Sequence, residues 1–141
     1  YAMLINKNKF QDNFFFDENF FLYLENDDLC LRTKKKNNKI YISKKAKINH
    51  LGGKSHSPIY EREVEFSRNW HWMWSKFYFN KKHFGYLRAF LTSVSTLTTS
   101  MIKFFYYLVT FNKFKKKIYM MRFLGLSNSI LGKKSWYRPQ V

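Results

Sequence analysis

The sequence contains no carboxylate between residues 66 and 141. All nine Asp and Glu residues lie at or before Glu65, whereas fourteen Lys and Arg residues follow it, and the net charge of the 141-residue chain is +17. A field of one sign attracts polyanions, so nucleic acid, anionic lipid headgroups and phosphate-bearing substrates are the candidate partners. Aromatic residues form 21% of the chain. Their concentration in the same basic half favours a membrane interface over nucleic acid, which stays as an alternative.

Cysteine is nearly absent, and so are the motifs of several enzyme classes. Cys30 is the only cysteine, which excludes an internal disulfide, and its position between two leucines predicts a buried apolar side chain and not a nucleophile. The chain has no His-x-x-x-His or Cys-x-x-Cys zinc pattern, no glycine-rich nucleotide loop and no Gly-x-Ser-x-Gly hydrolase motif. Taken with the strand and helix patterns described below, these features indicate a basic, membrane-apposed α/β protein.

Short apolar and alternating runs predict β-strands in the first part of the chain. Residues 1–7 have the pattern of a buried strand, residues 39–43 alternate polar and apolar side chains, and residues 46–51 do so more weakly. Because the first residue is Tyr and a strand pattern begins at once, we expect the sequence to be the C-terminal piece of a longer protein. His50 lies at the end of the last run, where a side chain can point into a cleft or serve the structure alone.

Residues 60–83 have the composition and spacing of an amphipathic helix. Acids lie near its start and cations at its end, in agreement with the helix macrodipole. Its aromatic residues recur three and four positions apart, which predicts a stripe that packs against the rest of the protein: Phe66, Trp70, Trp74, Phe77 and Tyr78. Gly85 is expected to introduce a bend after this helix.

Residues 86–111 form the longest apolar stretch. They are long enough to span a bilayer, but Arg88, Lys103 and the seven Ser or Thr residues from Thr92 to Ser100 interrupt their apolar character. We therefore favour a helix that lies in the membrane interface over a spanning helix. The cationic flank expected at an anionic surface follows directly, with Lys113, Lys115, Lys116 and Lys117.

Residues 16–32 hold an acidic cluster that is unusual in so basic a chain. Six of the nine carboxylates lie at or before Asp28. A helix with its N-cap near Asn26 would place Glu25 and Asp28 on one side and Arg32 one turn further along. The helix dipole keeps such carboxylates ionised, which suits a general base or an acceptor of hydrogen bonds from sugar hydroxyls. Spacing alone favours the simpler interpretation, a capped helix start with an Asp28–Arg32 ion pair.

The order of residues in this cluster resembles a known motif. Residues 16–32 read Phe-Asp-Glu-Asn-Phe-Phe-Leu-Tyr-Leu-Glu-Asn-Asp-Asp-Leu-Cys-Leu-Arg, which closely resembles the pattern FDExFFxYxExxDLCxR of family 2 glycosyltransferases, especially the rhamnosyltransferase-like members. Further segments resemble the same family in the same order: residues 2–5, the His-Leu-Gly-Gly-Lys-Ser run at residues 50–55, residues 75–85 and residues 133–139.

The resemblance implies the C-terminal half of a GT-A nucleotide-sugar transferase domain, an α/β fold, followed by a mainly helical, basic, membrane-apposed tail. Residues 1–58 would form the acceptor side of the catalytic domain, residues 59–85 an amphipathic aromatic helix, and residues 86–141 a membrane-associated region. The nucleotide-binding strands and an Asp-x-Asp metal motif would precede Tyr1, so the chain alone is expected to be inactive.

The implied activity is an inverting sugar transfer from a nucleotide-sugar donor to a lipid-linked or polysaccharide acceptor. Rhamnose or a similar deoxysugar is the expected donor sugar. A divalent metal, Mg²⁺ or Mn²⁺, would assist departure of the donor diphosphate, and His50 would lie near both. Many such enzymes act on polyprenyl-diphosphate-linked acceptors, which implies the cytoplasmic face of the inner or plasma membrane.

The resemblance also implies roles for individual residues. The catalytic base is expected among three carboxylates: Asp28, Glu25 and Asp27. Three further residues of the motif are expected to contact the acceptor: Phe21, Tyr23 and Arg32. The sequence departs from the family at Asn26, which stands where the catalytic Asp normally lies and which cannot act as a base.

Two other classes of function stay open. A basic module that binds a membrane or nucleic acid without catalysis would explain the charge, although not the ordered series of motif-like segments. A degenerate glycosyltransferase, in which Asn26 has abolished the activity, would explain both.

Overall fold

Four helices account for most of the chain that the structure describes. The structure is a computed structural model, and it describes residues 3–6, 8, 15–49 and 57–139. The helices are α1 (Glu25–Lys35), α2 (Glu61–Phe84), α3 (Tyr86–Val109) and α4 (Lys113–Ile130), and a short 3₁₀ turn at Pro58–Tyr60 precedes α2. Helices α2, α3 and α4 pack against one another in pairs and form a three-helix bundle.

The predicted α/β fold, the second half of a GT-A domain, is wrong: the described residues are helical or irregular, and none of them lies in a β-strand. A strand is stable only when a neighbouring strand satisfies its backbone groups. Residues 39–43 have no such neighbour in the described parts of the chain, and Ile42 is 91% exposed. Residues 3–6 and 46–49, the described parts of the two other predicted strands, are likewise irregular.

The helix predicted at residues 60–83 is confirmed as α2, and its aromatic stripe is buried as expected. Four of the five stripe residues are almost inaccessible to solvent: Phe66, Trp70, Trp74 and Phe77. The fifth, Tyr78, is half-buried and stacks on Trp74 with a centroid separation of 4.9 Å. Met121 of α4 completes one end of this core, and Ala89 of α3 with Leu126 of α4 completes the other.

Helix α1 begins at Glu25, two residues earlier than a cap at Asn26 predicts. Leu24 precedes it in a left-handed conformation with φ of 66°, and no side chain caps the free N–H groups. The predicted cap at Asn26 is therefore wrong. Acids in the first turn and cations in the last turn complement the macrodipole instead. The helix ends before Asn37, whose left-handed φ of 57° is incompatible with its continuation.

Helix α3 follows a bend at Gly85, which has a φ of 87°. Its hydroxyl groups largely bond to carbonyls of the same helix; Thr98, Thr99 and Ser100, for example, each bond to the carbonyl four residues earlier. One face of α3 is left exposed and apolar, with Leu87, Leu91, Val94, Met101, Ile102, Phe105 and Val109. Among the described residues, no helix is long and apolar enough to cross a membrane.

Helices α2 and α4 approach so closely at Gly125 that only glycine fits. A Cβ atom at this position would collide with the backbone carbonyl of Trp70. Nearby, the Ser129 hydroxyl donates a hydrogen bond of 2.9 Å to the Trp74 carbonyl, so backbone and side chains of the two helices interlock.

We expect Gly125→Ala to lower the free energy of unfolding by roughly 1–3 kcal/mol, because the added methyl forces α2 and α4 apart. Chemical denaturation followed by circular dichroism measures the change. Ser127→Ala, two residues along the same helix and outside this contact, is the matched control and should have little effect. Equal stability of Gly125→Ala and the wild type would contradict the close approach.

Candidate functional site

Asp28 lies at the centre of a buried cluster of charges. Its side chain is inaccessible to solvent, and each carboxylate oxygen accepts hydrogen bonds. Arg32 Nε donates to Oδ2 over 2.8 Å, while Lys82 Nζ and His83 Nε2 lie 2.7 and 2.8 Å from Oδ1. The Asp28–Arg32 pair predicted from spacing is confirmed, and two residues from the end of α2 join it.

His83 connects this cluster to a second cation of α1. Its Nδ1 atom lies 3.3 Å from Lys35 Nζ. A lysine ammonium can only donate, so Nδ1 accepts and Nε2 carries the proton that bonds to Asp28. The carboxylate therefore receives two charged donors and one neutral donor.

These bonds outweigh the cost of burying the Asp28 carboxylate. Burial alone would raise the pKa of Asp28, but hydrogen bonds from Lys82, Arg32 and His83 lower it below its ordinary value. The carboxylate is consequently ionised at neutral pH. A removed partner would leave part of a buried charge unsatisfied, which makes the cluster an anchor between α1 and α2.

Lys82 also binds Asp17, so it bridges two acids of residues 16–32. Its Nζ atom lies 2.7 Å from Asp17 Oδ2, which also accepts a hydrogen bond of 2.9 Å from the Tyr78 hydroxyl. Burial would raise the pKa of Asp17, yet bonds from Lys82, Asn19 and Tyr78 together lower it to about 2. Burial and the hydrogen bond to Asp17 raise the pKa of Tyr78 to about 12.

An open cavity of about 340 Å³ lies beside the bridge. It is lined by Phe16, Asp17, Glu18, Arg32 and Lys82. Four of these five residues belong to residues 16–32. The lining combines one aromatic ring, two carboxylates and two cations, and its volume lies at the lower end of the range for small-molecule pockets.

The other two candidate bases have different surroundings. Asp27 is exposed on the first turn of α1. Glu25 is half-buried, and its Oε2 atom is buried without a hydrogen-bond partner. Neither residue lines the 340 Å³ cavity. Within the first turn of α1, Glu25 is thus the carboxylate with an oxygen that no protein group satisfies.

The predicted acceptor residues are not all brought together. Arg32 lines the cavity, but Phe21 packs on His71 and under Arg138, whose guanidinium carbon lies 3.6 Å from the ring centroid. Tyr23 packs edge-on against Trp72. Because His71 and Lys82 are eleven residues apart on α2, Phe21 lies roughly 16 Å along the helix from the Asp28 cluster.

His71 fixes the C-terminal segment beside Phe21. Its Nε2 atom donates to the Tyr137 carbonyl over 2.8 Å, and Nδ1 lies 3.0 Å from the Ser135 hydroxyl. Burial lowers the pKa of His71 to about 4, which agrees with the neutral ring that this pattern requires. Trp74 Nε1 adds a bond of 2.9 Å to the Lys133 carbonyl, so residues 133–138 lie against α2.

The predicted metal ligand, His50, lies outside the described residues. Within the part of the chain that the structure describes, no group of three or more His, Cys, Asp and Glu side chains could hold a metal ion. These residues do not form a metal site by themselves, and the expectation of Mg²⁺ or Mn²⁺ rests on the family resemblance.

Sequence reasoning missed Lys82 and His83 as members of the site. They lie more than 50 residues after Asp28, and the only local sign of them is the cationic end of α2, which the macrodipole explains equally well. Asp17 and Glu18 were visible within the motif, but only the cavity distinguishes them from other surface acids.

Comparison with known proteins adds no relative. No protein-family model matches the chain, and no curated protein and no solved structure is significantly similar to it.

We expect Lys82→Met to lower the free energy of unfolding at pH 7 by roughly 1–3 kcal/mol, because it leaves two carboxylates with fewer donors. Urea denaturation measures the change. Lys81→Met, a charge loss at the neighbouring exposed position, should have a much smaller effect.

The same variant should change the acid limb of the stability curve. An Asp whose folded pKa is lowered contributes stability above about pH 4, and that contribution disappears as the pH falls towards 2. Without Lys82 this loss should be smaller and should be complete at a higher pH, because the folded pKa of Asp17 rises towards its ordinary value while the unfolded pKa stays the same. An unchanged acid limb would contradict the Asp17–Lys82–Asp28 bridge.

Proposed function

We propose that the chain carries the acceptor side of an inverting glycosyltransferase, which transfers a sugar from a nucleotide-sugar donor to a lipid-linked or polysaccharide acceptor. A rhamnosyl or similar deoxysugar donor is the specific expectation. The proposal rests on the resemblance of residues 16–32 to the family 2 motif and does not depend on an α/β fold in the described residues.

The observation that carries the proposal is the cavity lined by this motif. Phe16 offers an aromatic face, and the carboxylates of Asp17 and Glu18 can accept hydrogen bonds from sugar hydroxyls. The two cations beside them, Arg32 and Lys82, can donate to ring or hydroxyl oxygens. A monosaccharide unit fits a cavity of about 340 Å³.

Chemistry at this site requires a carboxylate that takes the proton of the attacking acceptor hydroxyl. A base is most effective when its pKa lies near the working pH, which counts against Asp28, whose lowered pKa makes it a weak proton acceptor. Glu25 has a carboxylate oxygen without a partner, and Asp27 is exposed. Of the three motif carboxylates we therefore place Glu25 first as the base, with Asp27 as the alternative, and assign Asp28 to positioning α1. Because neither Glu25 nor Asp27 lines the 340 Å³ cavity, the attacking hydroxyl would lie outside the cavity that holds the rest of the sugar.

The test is glycosyl transfer by the protein encoded by the whole reading frame that contains this chain. A panel of nucleotide sugars, including a rhamnosyl donor, is supplied with a polyprenyl-diphosphate-linked acceptor. Glu25→Gln should reduce kcat by about 10²-fold or more while donor binding and thermal stability persist. Asp28→Asn should reduce both kcat and stability, because it also removes a buried ionic anchor.

Glu61→Gln is the matched control, since Glu61 is an exposed acid in the first turn of α2. It should leave turnover unchanged. Full turnover in Glu25→Gln and in Asp27→Asn would refute the assignment of the base. Absence of transfer with every donor would count against the enzyme itself and in favour of a non-catalytic or degenerate protein.

The exposed face of α3 supports a second element of the proposal, attachment to an anionic membrane surface. The face runs along the helix in two apolar parts separated by the exposed Thr98, and Ile102, Phe105 and Val109 of the second part are each more than half exposed. An apolar patch of this kind marks an interaction surface. Charge selects the partner, because cations and no carboxylates accompany the patch.

The first turns of α4 strengthen the choice of an anionic partner. Lys113, Lys115 and Lys116 lie at the positive end of the helix macrodipole, where cations are unfavourable. An anionic surface beside them would remove this repulsion. The same observation favours the alternative function, a membrane-binding module without catalysis, if transfer is absent.

We expect the chain to bind liposomes that contain anionic lipid and to bind less as salt is raised. Replacing Lys113, Lys115 and Lys116 with Gln should weaken binding measured by co-sedimentation. A matched variant that replaces three exposed lysines elsewhere, Lys34, Lys36 and Lys44, should bind more tightly than the first. Equal partitioning into neutral and anionic liposomes would contradict the electrostatic part, and no binding to either would contradict the attachment.

A further inference from the structure

A polar groove between α3 and α4 lies apart from the acidic cluster. Its volume is about 240 Å³, and four hydroxyl residues of α3 line it together with Lys103, Tyr119 and Arg122. No carboxylate lines the groove, since α3 and α4 contain none. Hydroxyls and cations without acids are the donor set that binds phosphate groups.

The cations of the groove are held by an aromatic ring. Lys103 Nζ lies 5.2 Å from the centroid of Tyr119, and the guanidinium carbon of Arg122 lies 5.6 Å from it. Tyr107 stacks on Tyr119 at 5.5 Å and supports that ring from behind. Cation–π contact fixes the two side chains but leaves their positive charges unneutralised.

Arg122 has a donor that nothing satisfies. Its Nε atom is buried and has no hydrogen-bond partner, and Arg122 forms none of the ion pairs among the described residues. Because Nε itself is inaccessible to solvent, an external acceptor in the groove would meet the terminal N–H groups of the guanidinium, which donate no hydrogen bond to the described residues. Lys103 likewise has no carboxylate partner in the described parts of the chain.

We infer that this groove is a binding site for a phosphate-bearing group, held by Arg122 and Lys103 with the Ser95 and Thr96 hydroxyls as further donors, since the Thr99 and Ser100 hydroxyls already donate to carbonyls of α3. The group belongs either to a phospholipid headgroup or to a soluble phosphate or diphosphate, which present the same oxygens. The inference does not require glycosyl transfer, because the groove shares no residue with the 340 Å³ cavity.

The experiment follows backbone amide and arginine Nε signals of the ¹⁵N-labelled full chain by NMR. One arm adds inorganic pyrophosphate, and the other adds bicelles of phosphatidylcholine with or without phosphatidic acid. We expect saturable shifts centred on Thr96, Ser100 and Arg122. A response to pyrophosphate indicates a soluble phosphate or diphosphate, and a response only to phosphatidic acid indicates the lipid headgroup.

Three variants separate a built site from general electrostatic attraction. Arg122→Gln and Lys103→Gln should each weaken binding at least about tenfold, because each removes a charged hydrogen-bond donor. Arg88→Gln removes the same charge from another position of α3, over Phe84, and should change affinity less than about twofold. Lys103 is exposed, so its variant tests the site even if Arg122→Gln lowers stability.

Two results would overturn the inference. One is no saturable response to either pyrophosphate or phosphatidic acid. The other is an equal loss of affinity in Lys103→Gln and Arg88→Gln, which would show attraction by net charge alone. Neither result bears on turnover, so failure here and failure of the proposed glycosyl transfer are distinguishable.

Discussion

The burial of one face of α2 is the constraint on which the other described elements depend. Trp70 and Phe77 are fully buried, and burying a large aromatic ring contributes roughly 2–3 kcal/mol. Helix α4 reaches this face only because Gly125 has no side chain, and the irregular segment before α1 is tied to it by the Ser75 hydroxyl, which donates to the Leu22 carbonyl. The candidate site forms near the C-terminal end of α2 because the side chains of Lys82 and His83, held on this fixed helix, contact Asp28 of α1.

Local patterns in the sequence were sufficient for α2, whose aromatic spacing already specifies a buried stripe, and for the bend at Gly85. They were not sufficient for residues 39–43, since a strand needs backbone partners that a local alternation cannot supply. The contacts of the candidate site likewise include one that local sequence predicts and one that it does not. The Asp28–Arg32 pair lies within one helical turn and was predictable, whereas Lys82 reaches Asp28 across more than 50 residues, and only packing reveals that contact.

A carboxylate that stabilises the fold is fully hydrogen-bonded, whereas a carboxylate that accepts a proton needs a free oxygen. Asp28 and Glu25, one turn apart on α1, differ in this respect. Asp28 is stabilising because its charge is fully bonded, and the same bonds lower its pKa and make it a poor proton acceptor. Glu25, one turn earlier, has an oxygen with no partner. If Glu25 is the base, as proposed, Asp28 would fix the helix through its own bonds while leaving the Glu25 carboxylate free to take a proton.

The distribution of acids also determines what the second half of the chain can bind. Among the acids of residues 16–32, Asp17 and Asp28 form ion pairs with Lys82 and Arg32. The one described ion pair of α4 joins Lys117 to Glu63 over 3.9 Å. Tyrosine rings, and not acids, contact three cations of α3 and α4: Lys103, Lys115 and Arg122. A ring orders a cation without cancelling its charge, so these helices hold fixed positive groups that are still able to bind an external anion. Two of these positive groups, Lys103 and Arg122, line the groove between α3 and α4.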